Sequence, residues 1–217
     1  YEISLGLVGS EMCIRDRIHI DRGLIAEKTS NYRRFNKEKP VSPRAFLGSN
    51  TIMWYTGSEH DEYGHTVEDP INRLEMYEKR IRKIEAADKE IPVEKRAILF
   101  GHKDSKVLLV GWGSVKGPIL DAISSLKSQD ISYLHIKMFS PFPKDFVKEI
   151  LEESDLLVAV EHSYEAQIAK LITMNTGIEI PQSIVKYTGR PIYQNEIIHA
   201  IDQILSKKTK KSGVELW

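Results

Sequence analysis

The chain has 217 residues, with 31 Lys+Arg against 31 Asp+Glu and 41% hydrophobic residues. Balanced charge gives no reason to expect nucleic acid or an anionic membrane as partner, and no apolar run approaches the roughly 20 residues that a spanning helix needs. The single cysteine, Cys13, excludes a disulfide framework and any multi-cysteine iron–sulfur or zinc site within this sequence, so a cytoplasmic protein of one domain with an appendage, or of two small domains, is expected.

Residues 1–17 read YEISLGLVGSEMCIRDR. They lack the basic start and longer apolar core of a signal peptide, and SLGLVGSEMCIRDR resembles translated sequencing-adapter sequence. This segment is expected to be non-native and is set aside. Authentic sequence is expected from near Ile18, which makes the chain a C-terminal fragment. Residues 18–68 carry Pro40, Pro43, Gly48, Gly57 and Gly64 without a long periodic stretch, which predicts a structured loop region. Asp69 as N-cap and Pro70 as first helical residue then open a connecting helix to about Ala87. Ile71, Leu74, Tyr77, Ile81 and Ile84 form one apolar stripe on it, with Arg73, Lys79, Arg80, Arg82 and Lys83 largely off that stripe. DKEIPVEK reads as a short linker.

Beyond it the pattern changes. AILF, KVLLVG, ISYLHIKM, DLLVAVE and SIVKY read as strands, and 118–127, DFVKEILEE, EAQIAKLITMN and NEIIHAIDQILSK as helices. Alternation at short spacing predicts an α/β domain over 93–206, a three-layer parallel sheet with right-handed crossovers. Near-continuous apolar strands fit a sheet covered on both faces. Residues 207–217, KKTKKSGVELW, read as a solvated tail.

The densest chemical signal is GWGSVKG between the strand KVLLV and the next helix. Helix N-terminal amides behind a glycine turn can face a pyrophosphate. However, the spacing is G-x-G-x-x-x-G, and ISYLHIKM runs into Lys137, Met138 and Phe139 without the acidic residue that holds a ribose hydroxyl. Lys137 would suit a 2′-phosphate, so an independent NADP-type oxidoreductase domain stays open as the alternative. The favoured expectation is that Gly111, Gly113 and Gly117 form a structural turn. HDEYGH has two histidines five apart with Gly64 between them, which is not the four-residue spacing of a zinc-protease helix. Trp54, Glu59, His60, Glu62 and His65 are therefore expected to form a polar, aromatic loop at an interface or near a site. Glu161 ends a strand where open α/β sheets face ligands; it and Gln167 are expected to fix a loop by hydrogen bonding. No nucleophile–base pair can be assembled, so no catalytic, cofactor-binding or metal-binding residue is assigned.

Three segments in order carry a resemblance. WYTGSEHDEYGHTVEDPINRLEMYEKRIRKI resembles the junction after the pyrimidine-binding domain in the α subunit of 2-oxoacid:ferredoxin oxidoreductases. VLLVGWGSVKGPILDAISSL with LHIKMFSPFP resembles the transketolase C-terminal-like domain that follows it, and VAVEHSYEAQIAKLI and VKYTGRPI are similar to its closing motifs. The resemblance spans roughly Tyr32 to Ile204. It implies that residues 18–92 are the end of a pyrimidine-binding domain with a loop and connecting helix, and that 93–206 are the transketolase C-terminal-like domain. It further implies an enzyme of the 2-oxoglutarate/pyruvate type that oxidatively decarboxylates a 2-oxoacid with coenzyme A and reduces ferredoxin. Thiamine diphosphate, magnesium, an iron–sulfur cluster and CoA are implied for the whole complex and none for this fragment, which has a β subunit as partner and a structural and assembly role. A non-catalytic interaction module of another thiamine enzyme is the further alternative.

Overall fold

The computed structural model of the chain describes residues 22–26, 31–127, 130–206 and 213–216. Residues 1–17, read as non-native, lie outside the described residues. Two compact units divide between Lys83 and Ile84, within a helix, α1 (Pro70–Glu90).

In the first unit, loops between residues 31 and 69 lead into α1. Its entry is as expected: Pro70 is the first helical residue, and the Asp69 carboxylate accepts the Asn72 amide at 2.7 Å. Its orientation is not. The residues buried against the unit are Asn72, Met76 and Lys79. The Asn72 side-chain amide donates to the His60 carbonyl at 3.0 Å, and the Lys79 ammonium donates to the Lys39 and Pro40 carbonyls at 2.8 and 3.2 Å. Loop carbonyls need donors once they leave water, and the polar face of the helix supplies them. The stripe of Ile71, Leu74, Tyr77, Ile81 and Ile84 is consequently exposed.

The second unit is an α/β domain. A short helix, α2 (Val93–Arg96), leads to β1 (Ala97–Phe100). Then follow β2 (Val107–Trp112), a single 3-10 turn (Gly113–Val115), α3 (Lys116–Leu126), β3 (Ile131–Ile136), α4 (Lys144–Glu152) and β4 (Leu156–Glu161). The chain continues through α5 (Gln167–Thr176), β5 (Gln182–Val185), α6 (Gln194–Leu205) and β6 (Val214–Glu215). One sheet takes the order β1-β3-β2-β4-β5-β6. All pairings are parallel except β1, which runs antiparallel to β3 with Ala97 opposite Ile136. The expected parallel sheet therefore carries one antiparallel edge strand, a common addition to α/β sheets.

Strand alternation splits the core in two. Val107, Leu109, Ile131, Tyr133, Val158, Val160 and Ile184 pack with Ile119 and Ala122 of α3 and Ile197, Ala200, Ile201 and Ile204 of α6. Leu108, Val110, Leu134, Ile136, Leu157, Ala159 and Val185 pack with Val147, Ile150 and Leu151 of α4 and Ile168 and Ile172 of α5. A strand buried on both faces needs apolar residues at consecutive positions, as in VLLV and LLVAV. The α5 helix ends at Gly177, whose φ of +78° lets its amide reach the Thr173 carbonyl at 2.9 Å. The tail read as solvated is partly a strand. Val214 and Glu215 pair with Ile184 and Val185, and Leu216 is buried, because an apolar Val–x–Leu can cap the open edge of β5.

The glycines of the β2–α3 connection differ in what they do. A Cβ on Gly111 would stand 2.8 Å from both the Val160 carbonyl oxygen and the Val115 side chain, so this residue permits close approach. Gly113 has φ +62° and makes the turn itself. Gly117 is already inside α3 with open space around it, so the expected three-glycine turn is a two-glycine turn. Gly111→Ala should cost about 1–3 kcal/mol through overpacking and lower the thermal transition by several degrees. Gly117→Ala should leave stability unchanged or raise it by up to about 1 kcal/mol through helix propensity; a cost at Gly117 equal to that at Gly111 would refute the distinction.

Candidate functional site

In the second unit the strand order reverses beside β2: β3 lies on one side of it and β4 on the other. The crevice beyond the carboxyl ends of two such strands is where open α/β sheets bind ligands. Here the protein's own side chains bridge it. The Trp112 indole N–H donates to Glu161 Oε1 at 3.0 Å, and Glu161 Oε2 accepts the Ile168 amide of α5 at 2.9 Å. The Glu161 side chain thus ties the end of β2 to the first turn of α5, with only 2% of the residue exposed. The left-handed backbone of Ala166, at φ 49°, immediately precedes that helix. The Trp112 ring meets Phe139 edge-on at 5.2 Å. Gln167 opens α5 and is exposed; the amide that reaches Glu161 is that of its neighbour, Ile168.

Sequence reasoning missed two buried polar pairs in this unit. Lys186, directly after β5 and 3% exposed, donates to both oxygens of Glu196 at 2.7 and 2.9 Å and to the Pro191 carbonyl at 3.0 Å. Glu196 also accepts the Tyr193 amide at 2.8 Å and so caps α6. Burial opposes ionisation of Glu196, but Lys186 and the Tyr193 amide hold its carboxyl below the usual range. A glutamate at the third position of a helix was a readable capping signal. The lysine that pairs with it was not, since an apolar strand ending in Lys reads as reaching water. The second pair is Tyr133–His135 on β3, with 2.7 Å between the hydroxyl and Nδ1. Burial pushes the Tyr133 hydroxyl up, and burial with the charges of Lys116 and Lys137 pushes His135 down.

In the first unit, the Trp54–His65 loop is held by its own acid groups. Arg80 pairs with both oxygens of Glu59, whose carboxyl lies below the usual range chiefly through that hydrogen bond. Glu62 accepts the Lys37 amide at 2.9 Å and pairs with Arg33 at 3.2 Å. Asp61 accepts the amides of Tyr63, Gly64 and His65 at 2.9, 2.9 and 3.0 Å. His60 is buried, with its ring 4.0 Å from that of Phe35 and Nδ1 2.9 Å from the Asp61 carbonyl. The Trp54 and His65 rings lie edge-on at 5.3 Å. Glu59, His60, Glu62 and His65 therefore share one loop but point to separate partners. Among the described residues, no group of three or more His, Cys, Asp or Glu could hold a metal ion, and no helix is long and apolar enough to cross a membrane.

Residues 105–197 match the family described as pyruvate:ferredoxin oxidoreductase core domain II. Over 194 residues the chain is 47% identical to subunit alpha of 2-oxoacid:ferredoxin oxidoreductase 1 from Aeropyrum pernix, covering 87% of this chain and 30% of that relative. It is 42% identical over 198 residues to the corresponding subunit from Sulfurisphaera tokodaii, covering 90% and 31%. Over nearly all of its length the chain is thus similar to α subunits of 2-oxoacid:ferredoxin oxidoreductases. These relatives are subunits of oxidoreductases by name, and the chain spans about a third of their length. The fold agrees with a solved 2-oxoglutarate:ferredoxin oxidoreductase from Magnetococcus marinus, determined with 2-oxoglutarate, coenzyme A and succinyl-CoA bound. The TM-score is 0.71 at 22% identity, covering 87% of this chain and 33% of that one. In this chain the carboxyl-end crevice between β2 and β4 is a place of internal bridging.

Two expectations follow. Glu161→Gln keeps the shape but sets an NH2 group against an N–H donor, so one hydrogen bond is lost in a buried site. The expected cost is about 1–3 kcal/mol in chemical denaturation; no loss would mean that the bridge is dispensable. For His135, the folded state binds its proton less readily than the unfolded chain does. Its contribution is complete above the ordinary histidine value of 6.5 and is lost as pH falls through the depressed folded value. His135→Gln retains an acceptor for Tyr133 and should lose less stability than wild type between about pH 7 and 5. Identical pH profiles for the two proteins would refute this.

Proposed function

We propose that this chain serves as the domain II part, with its connecting segment, of an α subunit in a complex that oxidatively decarboxylates a 2-oxoacid with coenzyme A and reduces ferredoxin. Within that complex its role is structural: it supports assembly with a β subunit in the cytoplasm, and the reacting groups are held elsewhere. Thiamine diphosphate with magnesium and an iron–sulfur cluster, implied for the whole complex, would supply its decarboxylation and electron-transfer chemistry from outside this chain.

The observation that carries this reading is the Trp112–Glu161–Ile168 bridge. The helix N-terminal amide that would greet an anion at the β4 end already donates to Glu161. A buried carboxylate also stands where a diphosphate would need cationic or neutral donors. The residues at the β4–α5 end therefore do not suit a diphosphate, and no step is derived through one. The Trp54–His65 loop carries Trp54 and Tyr55 exposed above a tied base, a composition suited to protein contact, and it is the proposed assembly surface of the first unit.

The test is a chimera. The matching third of the Aeropyrum pernix α subunit is replaced by this sequence and produced with that organism's partner subunit. The expected result is an assembled enzyme with 2-oxoacid-dependent ferredoxin reduction, while the chain by itself releases no CO2 from a 2-oxoacid and gives no saturable signal with NADPH. A chimera that folds but does not assemble would refute the assembly role. Micromolar binding of NADPH by the chain would instead favour a nucleotide-binding domain.

A further inference from the structure

On one side the sheet of the second unit ends in a strand of two residues. Val214 and Glu215 of β6 pair with Ile184 and Val185, whereas the opposite edge strand, β1, pairs over four residues. The Leu216 amide donates to the Val185 carbonyl at 2.9 Å, and the Leu216 side chain joins the core of Ile184, Ile201 and Ile204. Glu215 Oε2 accepts the Tyr187 hydroxyl at 3.4 Å. Gly213 approaches β5 so closely that a Cβ there would stand 2.0 Å from the Ser183 carbonyl oxygen and 2.5 Å from its amide nitrogen, and its φ is +110°. Only glycine tolerates both. Residues 213–216 thus fill four distinct positions along β5: bare backbone, a half-buried apolar side chain, an acid beside a tyrosine, and a buried apolar side chain. On the α5 side an open groove of about 1120 Å3, lined by Lys170, Thr173, Met174 and Glu215, runs beside them, so this strand has an open flank.

We propose that residues 213–216 are an exchangeable strap, occupying from within the chain an edge site on β5 that accepts an extended segment parallel to it. A sheet edge presents main-chain donors and acceptors that template a further strand. Segments that add to such an edge draw affinity from the main chain and specificity from the side-chain positions. Here the specificity lies in the glycine that passes Ser183 and in the leucine slot against Ile184. Two ladder pairs and one buried leucine are few bonds beside those that hold β2 between β3 and β4. The strap therefore opens by local unfolding while the sheet persists. Its tether to α6 keeps its effective concentration at the edge high, so the edge is closed whenever no other segment fills it.

The test uses the full chain of 217 residues. In native-state hydrogen exchange the Leu216 amide should exchange at least about a hundredfold faster than the amides of β2 and β4. Full-length Gly213→Ala, which drives a methyl group against Ser183, should keep the wild-type circular dichroism spectrum and lose the protection of Leu216. A fluorescent peptide with the sequence of residues 212–217 should bind this variant saturably, at least about tenfold more tightly than it binds wild type, whose edge is self-occupied. The same peptide carrying Gly213→Ala or Leu216→Asp should bind the variant chain at least about tenfold more weakly. Exchange of Leu216 only at the rate of the β2 and β4 amides, or loss of the sheet in Gly213→Ala, would make the strand an integral part of the fold and overturn the proposal. Absence of peptide binding to the variant, or equal binding of the three peptides, would overturn the edge site.

Discussion

Strands covered on both faces have only their ends left for polar chemistry, and in the second unit those ends are joined by one buried carboxylate. The sides of β2 and β4 are filled by Leu108, Leu109, Val110, Val158, Ala159 and Val160. Glu161 is thus the first polar side chain on β4 that could be satisfied, and it is satisfied within the protein by an indole and a helix amide. The consequences spread from there. Trp112 cannot swing out to admit a ligand without stranding the carboxylate, and α5 cannot withdraw without losing an acceptor at its N-terminus. Gly111 must stay small, because β2 and β4 approach so closely just below the bridge. Loss of a partner around a buried charge costs more than the hydrogen bond itself, which makes this a rigid crest.

A second buried charge follows the same rule one strand over. Lys186 is neutralised by Glu196 and further solvated by the Pro191 carbonyl, and the Tyr193 ring lies 5.3 Å from its ammonium. The charges at the ends of β4 and β5 therefore close the loops of the sheet onto α5 and α6. In the first unit Lys79 is the counterpart: burial, with the charges of Lys83, Arg82 and Arg34, lowers its tendency to hold a proton, while its ammonium donates to two loop carbonyls. In each case a side chain that hydropathy assigns to water is retained inside because the backbone or a carboxylate needs it.

These cases mark what could be read from the sequence. The alternation of apolar runs and 3.6-period segments carried the α/β class, β1 to β5 and α3 to α6 to within a few residues, since burial on both faces leaves no other pattern; the short α2 and β6 fell in segments that read as linker and solvated tail. Asp69–Pro70 and Gly177 announced their helix ends by local chemistry alone. Pairing direction was not legible: AILF is apolar enough for either, and the two edge strands of the same sheet differ, β1 running antiparallel to β3 and β6 parallel to β5. The orientation of α1 was not legible either, because the deciding contacts, Asn72 to His60 and Lys79 to Lys39 and Pro40, lie between residues distant in sequence. Gly117 was grouped with its neighbours by proximity, although helix α3 had already begun.

The two units also differ in how far they satisfy themselves. The second buries an apolar core on each face of its sheet. The first keeps Met76 as its buried apolar anchor among the described residues and leaves Leu47, Ile52, Trp54, Tyr55 and the α1 stripe exposed. Its internal order comes instead from directed bonds: Asp61 on three amides, Glu62 on Arg33 and Lys37, Glu59 on Arg80, Lys79 on two carbonyls. Directed bonds fix shape without consuming apolar surface. A segment built this way holds its shape while its apolar side chains stay exposed. The carboxylates that stand close together in the Trp54–His65 loop are thereby accounted for by local bonding: each is tied to amides or cations of its own unit.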